Sequence, residues 1–251
     1  MQLALLVLSL SQIQPAEGVL VNVDELALLS NSSAEWLELD TWAHKNLTWD
    51  LSDMDSRSDV VALAAALVYA RNNDLVMRSK AIQAVNQIQG TEDAVGTDTL
   101  AVGRNLFGYI ITADILKQKG VAMTQFDNWL ANDVTEQYFQ DSPTVTRRIR
   151  DTHTVRPNNW GTMCGATRVA YSVYLNDQAE FDEAVTVWKS WLGDQNIPNV
   201  FEYQGAWQTW TPWLPPNHRP VNQPGDMVQG QNVDGVVIDD QDRCGAFAWP
   251  P

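Results

Sequence analysis

The chain has 251 residues, 45% hydrophobic and 19% charged, which is enough length and apolar content for one large folded domain. Sixteen Lys and Arg residues against 31 Asp and Glu residues give a net charge of −15. This charge repels nucleic acid and anionic membranes, so both are excluded as expected partners. An acidic polysaccharide would be repelled as well, so a site for one requires a local basic cluster.

The N-terminal 18 residues differ from the rest of the chain. Leu3–Leu10 is an apolar stretch too short to span a bilayer, and it resembles the hydrophobic core of a secretory signal. An N-terminal helix or strand packed on the domain is the alternative, since no Lys or Arg precedes the stretch. We therefore expect residues 1–18 to be a signal or N-terminal segment of a secreted or periplasmic protein, and residues 19–251 to form a single domain.

Apolar residues recur at helical spacing in successive segments between Ser58 and Gly193, without the period-two alternation of strands. The links between segments are short, which predicts antiparallel helical hairpins and an all-α fold. The predicted helices are Ser58 to Asn72-Asn73, Asp74 to Gly90, about Thr97 to Gly120, Thr124 through Tyr138, about Trp160–Leu175 and about Glu180–Leu192.

Curling these hairpins into two concentric layers buries every apolar face and leaves a cleft at one end of the inner layer. A flat bundle or an open solenoid also fits the pattern, although no fixed-period repeat supports a solenoid. Residues 194–251 differ, because they are rich in Pro, Gly, Asn and Trp and have little periodicity. The four tryptophans there argue against disorder, so we expect an irregular functional segment.

The stretch from Arg147 to Arg156 holds four of the sixteen basic residues and supplies the local basic cluster. It also contains His153 and leads through Pro157 into Asn158, Asn159 and Trp160. Because proline interrupts helices, the two asparagines are expected at a loop-to-helix entry, with Asn159 near the N-cap.

These residue types suit β-elimination at a uronate. The C5 proton becomes acidic once an amide, an arginine or a helix N-terminus neutralises the adjacent carboxylate. A His or Tyr base then removes the proton, and an acid, often Tyr, serves the leaving oxygen. His153, Arg156 and Asn159 supply these groups within seven positions. In the alternative interpretation, the asparagines only cap a helix, His153 is a hydrogen-bonded loop residue, and the arginines form a solvated face.

Two other stretches carry candidate chemistry. In Gly103–Tyr109, Arg104, Asn105 and Tyr109 interrupt an otherwise apolar helix, which indicates either a cleft lining or a core tyrosine with a bonded hydroxyl. The stretch from Gln229 to Phe247 clusters carboxylates that suit calcium binding or glycosidase chemistry, or else form a turn with a salt bridge to Arg243.

Three motifs in this order resemble the alginate lyase-like domain of polysaccharide lyases. They are Gly103-Arg104-Asn105-Leu106, Arg-x-x-x-Thr-His-x-x-Arg-Pro-Asn-Asn-Trp-Gly-Thr at 148–162, and Asp-Gly-Val-x-x-Asp-Asp-x-x-Arg-x-Gly-x-Phe-x-Trp-Pro-Pro at 234–251. The resemblance extends from about Val60 to Pro251. It implies an (α/α) toroid and a lyase of alginate, glucuronan or a related polyuronate. Such domains continue beyond Trp-Pro-Pro, which leaves open a toroid that is incomplete at its C-terminus.

Carried onto this sequence, the resemblance implies that Asn158 or Asn159 neutralises the carboxylate, that His153 is the base and that Arg156 anchors the substrate. Tyr109, placed by helix geometry, and Tyr203 are the two candidates for the acid. No cofactor is expected, with a structural divalent cation left open, and the expected partner is an acidic polysaccharide. The further predicted substrate-binding residues are Arg104, Asn105, Trp160, Asp240 and Arg243.

The sequence also departs from the expected pattern. Met163 and Gln231 stand where the resemblance leads us to expect histidine, which points to an altered substrate or to lost activity. Cys164 and Cys244 lie inside two of the motifs, and form either a disulfide or two buried thiols. A glycoside hydrolase that uses Asp234, Asp239 or Asp240, and an inactive carbohydrate-binding relative, are the alternative functions.

Overall fold

The computed structural model describes residues 18–191 and two short strands at 227–228 and 231–232. This part of the protein is mostly helical, in agreement with the predicted all-α class, apart from two small hairpins. The helices are α1 Val23–Leu26, α2 Ala34–Ala43, α3 Ser58–Asn72, α4 Leu75–Gln87, α5 Thr99–Gln118, α6 Thr124–Trp129, α7 Ile149–Val155, α8 Asn159–Leu175 and α9 Gln178–Trp191. The strands are β1 Phe139–Ser142, β2 Val145–Arg147, β3 Met227–Val228 and β4 Gln231–Asn232.

Polar caps fix several of the helix ends. The Asp74 side chain accepts hydrogen bonds from the amides of Val76 and Met77 at 2.8 and 3.1 Å, so α4 begins as predicted. Asn73 and Asn176 end α3 and α8 in the left-handed conformation, which asparagine tolerates. Helix α3 has no side-chain cap at its start, because Ser58 is its first residue and Arg57 holds the N-cap position.

Helix α5 is the centre of the described part. Most of its residues are buried, and it packs against α3, α4 and α8. Helices α3, α5 and α8 pack side by side in one row. Helices α4 and α6 are not part of this row and contact each other. Two rows of hairpin-connected helices are compatible with the predicted layers, and closure of these rows into a toroid stays a prediction.

The prediction of a helix from Thr124 through Tyr138 is wrong only after Val134. Helix α6 ends at Trp129 and continues as one π-helical turn, Leu130–Val134, in which the Thr135 hydroxyl donates to the Leu130 carbonyl at 2.8 Å. The chain then forms the antiparallel hairpin β1–β2, which the periodicity did not predict because each strand has at most four residues. The Gln140 amide donates to the carbonyl of Thr97 at 3.1 Å, which fixes β1 beside the start of α5.

None of the described helices combines the length and the apolar character that a bilayer span requires.

The contact between α5 and α8 depends on Gly103. A Cβ atom at this position would lie 2.7 Å from the Sγ of Cys164 and 3.1 Å from its Cα. We expect Gly103→Ala to lower the free energy of unfolding by about 1–3 kcal/mol, because a packed core cannot absorb this overlap without moving α8. Urea unfolding followed by circular dichroism measures the change. Adding Cys164→Ala should recover part of the loss, and an unchanged unfolding midpoint for the single variant would contradict this packing.

Candidate functional site

Helices α7 and α8 meet in a tight corner, residues 152–161, which contains most of the predicted catalytic residues. Asn158 is the N-cap of α8, and its Oδ1 accepts a hydrogen bond from the Gly161 amide at 3.2 Å, so the cap lies one residue earlier than expected. Gly161 is required here, because a Cβ atom at this position would overlap the carbonyl oxygen of Arg156. The predicted loop-to-helix entry is therefore present, and it is compact.

His153 is fully buried in the α7–α8 corner. Its ring lies edge-on to Trp191 with the ring centroids 5.1 Å apart, and 5.9 Å from the ring of Trp188. A Cβ atom on Gly165 would come within 2.7 Å of the imidazole. Burial, together with the charge of Arg168, lowers the pKa of His153 to about 3, so the imidazole is neutral at neutral pH.

Buried polar atoms without a partner concentrate at this corner. In the described part of the chain, five of the eight such side-chain atoms belong to residues of the corner. They include both ring nitrogens of His153, the amide nitrogen of Asn158 and the amide oxygen of Asn159. Because buried polar groups are nearly always hydrogen-bonded in folded proteins, the concentration of such atoms here makes this corner the candidate site.

Trp191 links the two halves of this site. Its ring contacts His153, and the ideal Cβ position of Gly161 lies 3.0 Å from the outer edge of the same indole. The imidazole therefore lies against the same tryptophan as the first turn of α8, which Asn158 caps. The site thus combines a neutral proton acceptor with an uncommitted amide donor.

The predicted basic cluster is neutralised by carboxylates. Arg147 and Arg156 pair with Asp141, and the Arg156 Nη1 lies 3.2 Å from the carboxylate. Arg148 lies 2.9 Å from Asp151 and 3.1 Å from Glu136, and Arg150 pairs with Glu136. The expectation of a free positive patch is therefore wrong, because each arginine of the run has an acidic partner in the fold.

A second ion-pair network ties α8 to α9. The buried Arg168 guanidinium donates to Glu180 at 2.8 and 3.2 Å and to Glu183 at 2.9 Å, and the Tyr171 hydroxyl also donates to Glu180. Burial alone would raise the pKa of Glu180, but the hydrogen bonds from Arg168 and Tyr171 lower it below its usual value. This network holds α9, with Trp188 and Trp191, against the corner.

The Gly103–Tyr109 stretch lies elsewhere, on α5 beside the start of α3. Tyr109 is fully buried, its hydroxyl donates to the Ser58 Oγ at 2.7 Å, and burial raises its pKa well above the usual range. The Asn105 amide donates to the carbonyl of Asp53 at 2.8 Å. Arg104 is half-buried, and its charge counteracts the raised pKa that burial gives the Asp59 carboxyl. The structure does not bring these residues into contact with His153.

The remaining predicted residues divide into two groups. The Arg156 guanidinium lies 4.3 Å from the centre of the half-buried Trp160 ring, and Met163 is exposed. Cys164 is a buried thiol that donates to the Thr99 carbonyl at 3.2 Å. The following predicted residues lie outside the described part of the chain: Tyr203, Asp234, Asp239, Asp240, Arg243 and Cys244.

Two adjoining clefts, of about 500 and 490 Å³, lie beside the Thr91–Asp93 turn. They share Glu92, Asp93 and Gln137, and the first extends along the β1–β2 hairpin. Neither cleft is lined by His153 or the paired asparagines. In the part of the chain that the structure describes, no group of three or more His, Cys, Asp or Glu side chains could hold a metal ion.

Several residues of the site were not identified from the sequence. Gly161 and Gly165 are four positions apart on one face of α8, a spacing that indicates close approach of another chain segment. Trp188 and Trp191 were expected only as parts of a helix, and Asp141 carried no recognisable signal, because its partners are distant in sequence.

The buried imidazole should make stability depend on pH. The folded state leaves His153 neutral down to about pH 3, whereas the unfolded chain binds this proton below about 6.5. The free energy of unfolding should therefore fall as pH decreases from 6.5 to 3, with His153 contributing about 1.4 kcal/mol per pH unit. Denaturant titrations of wild type and His153→Gln measure this contribution as the difference in slope.

His44 provides the matched control for this measurement, since its side chain is 59% exposed. His44→Gln controls for the removal of a histidine as such. Parallel profiles for wild type and His153→Gln would show that His153 is not buried in neutral form.

The comparisons with known proteins bear on this part of the chain. A family model described as alginate lyase matches residues 32–199, a range that contains the whole corner and excludes the third sequence motif. Neither the curated proteins nor the solved structures include a match. The match covers more than half of the chain and confirms the resemblance seen in the motifs, so the protein belongs to the alginate lyase family, which supports a polysaccharide lyase with a polysaccharide substrate.

Proposed function

We propose that the protein is a lyase that cleaves a uronic-acid polymer such as alginate or glucuronan by β-elimination, outside the cytoplasm. The observation that carries the proposal is the group of unpaired buried polar atoms at the α7–α8 corner, inside the range that matches the family. These atoms include a proton acceptor, the imidazole of His153, and an amide donor, the Asn158 nitrogen, which are the two functions that the first step of the reaction requires.

Asn158 is the proposed group that stabilises the substrate carboxylate. Its oxygen is committed to the Gly161 amide, while its buried amide nitrogen has two N–H bonds to donate. The substrate carboxylate would gain negative charge as the C5 proton leaves, and donors in a water-poor site stabilise such charge strongly. The N-terminus of α8, at the same point, adds favourable electrostatic potential.

His153 is the proposed base. Its neutral ring can accept a proton, although a pKa near 3 makes the empty site only weakly basic. A substrate carboxylate bound beside the ring would favour the imidazolium and raise this pKa toward neutrality. The negatively charged substrate would therefore itself bring the base into its working range.

Two roles remain to be assigned, the substrate-binding role of Arg156 and the acid that protonates the leaving oxygen. Arg156 is paired with Asp141 and stacked on Trp160, so its contribution to substrate binding would pass through Trp160 and the shape of the corner. The Tyr109 hydroxyl donates to Ser58 in the core, which leaves Tyr203 as the proposed acid for the leaving oxygen.

The test is incubation with a panel of alginate, polyglucuronate and neutral polysaccharides. A lyase produces an unsaturated uronate that absorbs ultraviolet light, whereas a hydrolase produces new reducing ends without this chromophore. We expect the chromophore to appear with at least one uronate polymer. New reducing ends alone would support a hydrolase, and binding without any product would support an inactive relative.

Asn158→Asp distinguishes the role of Asn158 as the N-cap of α8 from its proposed role in stabilising the substrate carboxylate. Aspartate keeps an oxygen acceptor for the Gly161 amide, but its second oxygen is buried without a donor, so the free energy of unfolding should fall by about 1–3 kcal/mol and rates are compared under conditions where the variant is folded. It removes the N–H donors and adds a charge that repels the substrate, so kcat/KM should fall by about 10²–10³-fold or more. Initial rates of chromophore formation measure the effect.

Asn158→Ser is the companion variant, since it also preserves a cap and introduces no charge. It should lose activity as well, though less than the aspartate variant. Wild-type rates in both variants would show that Asn158 is only a cap.

A further inference from the structure

We infer that Asp141 is a positioning residue that fixes the α7–α8 corner, so that His153 and Asn158 face the same substrate. The inference rests on the proposed function and extends it to a residue outside the three sequence motifs. It is based on four side-chain contacts that converge on one buried carboxylate.

Asp141 lies on β1 and is 3% exposed. Its Oδ1 accepts hydrogen bonds from the Thr152 hydroxyl at 3.0 Å, from the Arg156 Nη1 at 3.2 Å and from the Thr99 hydroxyl at 3.2 Å. Its Oδ2 pairs with Arg147, and its backbone carbonyl accepts a second bond from Arg156 at 2.8 Å. One residue of the hairpin is therefore bonded to both α5 and α7.

The contacts with α7 lie on either side of the proposed base. Thr152 immediately precedes His153, and Arg156 lies one helical turn later, at the last position before Pro157. Thr152 lies within α7 and Arg156 is its C-cap residue, so the two bonds to one carboxylate hold the helix at two points one turn apart and restrict both its position and its rotation about its own axis. The rotation determines where the His153 ring points.

The position of Asp141 is fixed by contacts that lie outside the corner. Strand β1 is held to the start of α5 by the backbone bond from Gln140 to Thr97 and by its pairing with β2. A misplacement of about 1 Å in a reacting group can reduce turnover by about a hundredfold. A contact that fixes α7 from outside the corner should therefore affect the turnover rate.

The sequence provides a matched pair of variants. Thr99 and Thr152 are both fully buried, and both donate to the Asp141 Oδ1, but only Thr152 belongs to the corner. Thr152→Val should reduce kcat about tenfold or more with KM changed less than about twofold, and Thr152→Ser should restore it, because only orientation is affected. Thr99→Val should lower the unfolding midpoint by a similar amount and leave kcat within about twofold of wild type.

A second measurement does not require activity. The imidazole NMR signals of His153, assigned by their absence in His153→Gln among three histidines, should shift in Thr152→Val and stay in place in Thr99→Val. Equal effects of the two valine variants on both kcat and the His153 signals would overturn the inference. If wild type forms no unsaturated product, the proposed function fails, and the NMR comparison still decides whether Asp141 orients His153.

Discussion

The two glycines of α8 set the distance at which α7 and α9 can approach it. Gly161 leaves space for the carbonyl of Arg156, and Gly165 leaves space for the His153 ring. Any larger residue would push the chain away and separate the imidazole from the first turn of α8. The chain therefore enters α8 through a reversal so tight that a proton acceptor and the helix N-cap lie against the same indole, that of Trp191. The ring nitrogens of His153 are buried without a partner because its ring packs against Trp188 and Trp191.

The charge distribution around the corner changes how an acidic polymer would be recognised. Arg147, Arg148, Arg150, Arg156 and Arg168 face the carboxylates of Glu136, Asp141, Asp151, Glu180 and Glu183, so five cations are balanced by five anions. These ion pairs orient helices and supply little excess positive potential. Recognition of a uronate would therefore depend on amide donors and on the α8 N-terminus, which act over short distances.

Local features were predictable from the sequence, and features that depend on distant partners were not. The start of α4 at Asp74 and the end of α3 at Asn73 follow from side chains that bond to their own helix, within a few residues. The pairing of Arg156 with Asp141, and of Arg168 with Glu180, joins segments that no local pattern relates. For this reason the sequence predicts a free cationic patch at the arginine run and gives no indication of the role of Asp141. Ser58 shows the same limit, because its hydroxyl accepts from Tyr109, 51 residues away, in place of capping its own helix.

The residues of the corner are consecutive, so a local sequence motif identifies them. Trp188, Trp191 and Gly165, which surround His153, lie outside that motif, so the sequence alone does not identify its environment. This difference matters for the chemistry. Asn158 and His153 would be unremarkable on an open surface, where water satisfies an amide and keeps an imidazole near its usual pKa. The two tryptophans of α9 pack against His153 and bury its ring, which lowers its pKa, and Asn158 is buried as well, with no partner for its amide nitrogen. A protein with a net charge of −15 pays a long-range penalty to approach a polyanion, and salt screens that penalty over about 8–10 Å. Donors and acceptors that act at hydrogen-bond distance are scarcely screened, so an acidic protein could hold an acidic sugar without a basic surface.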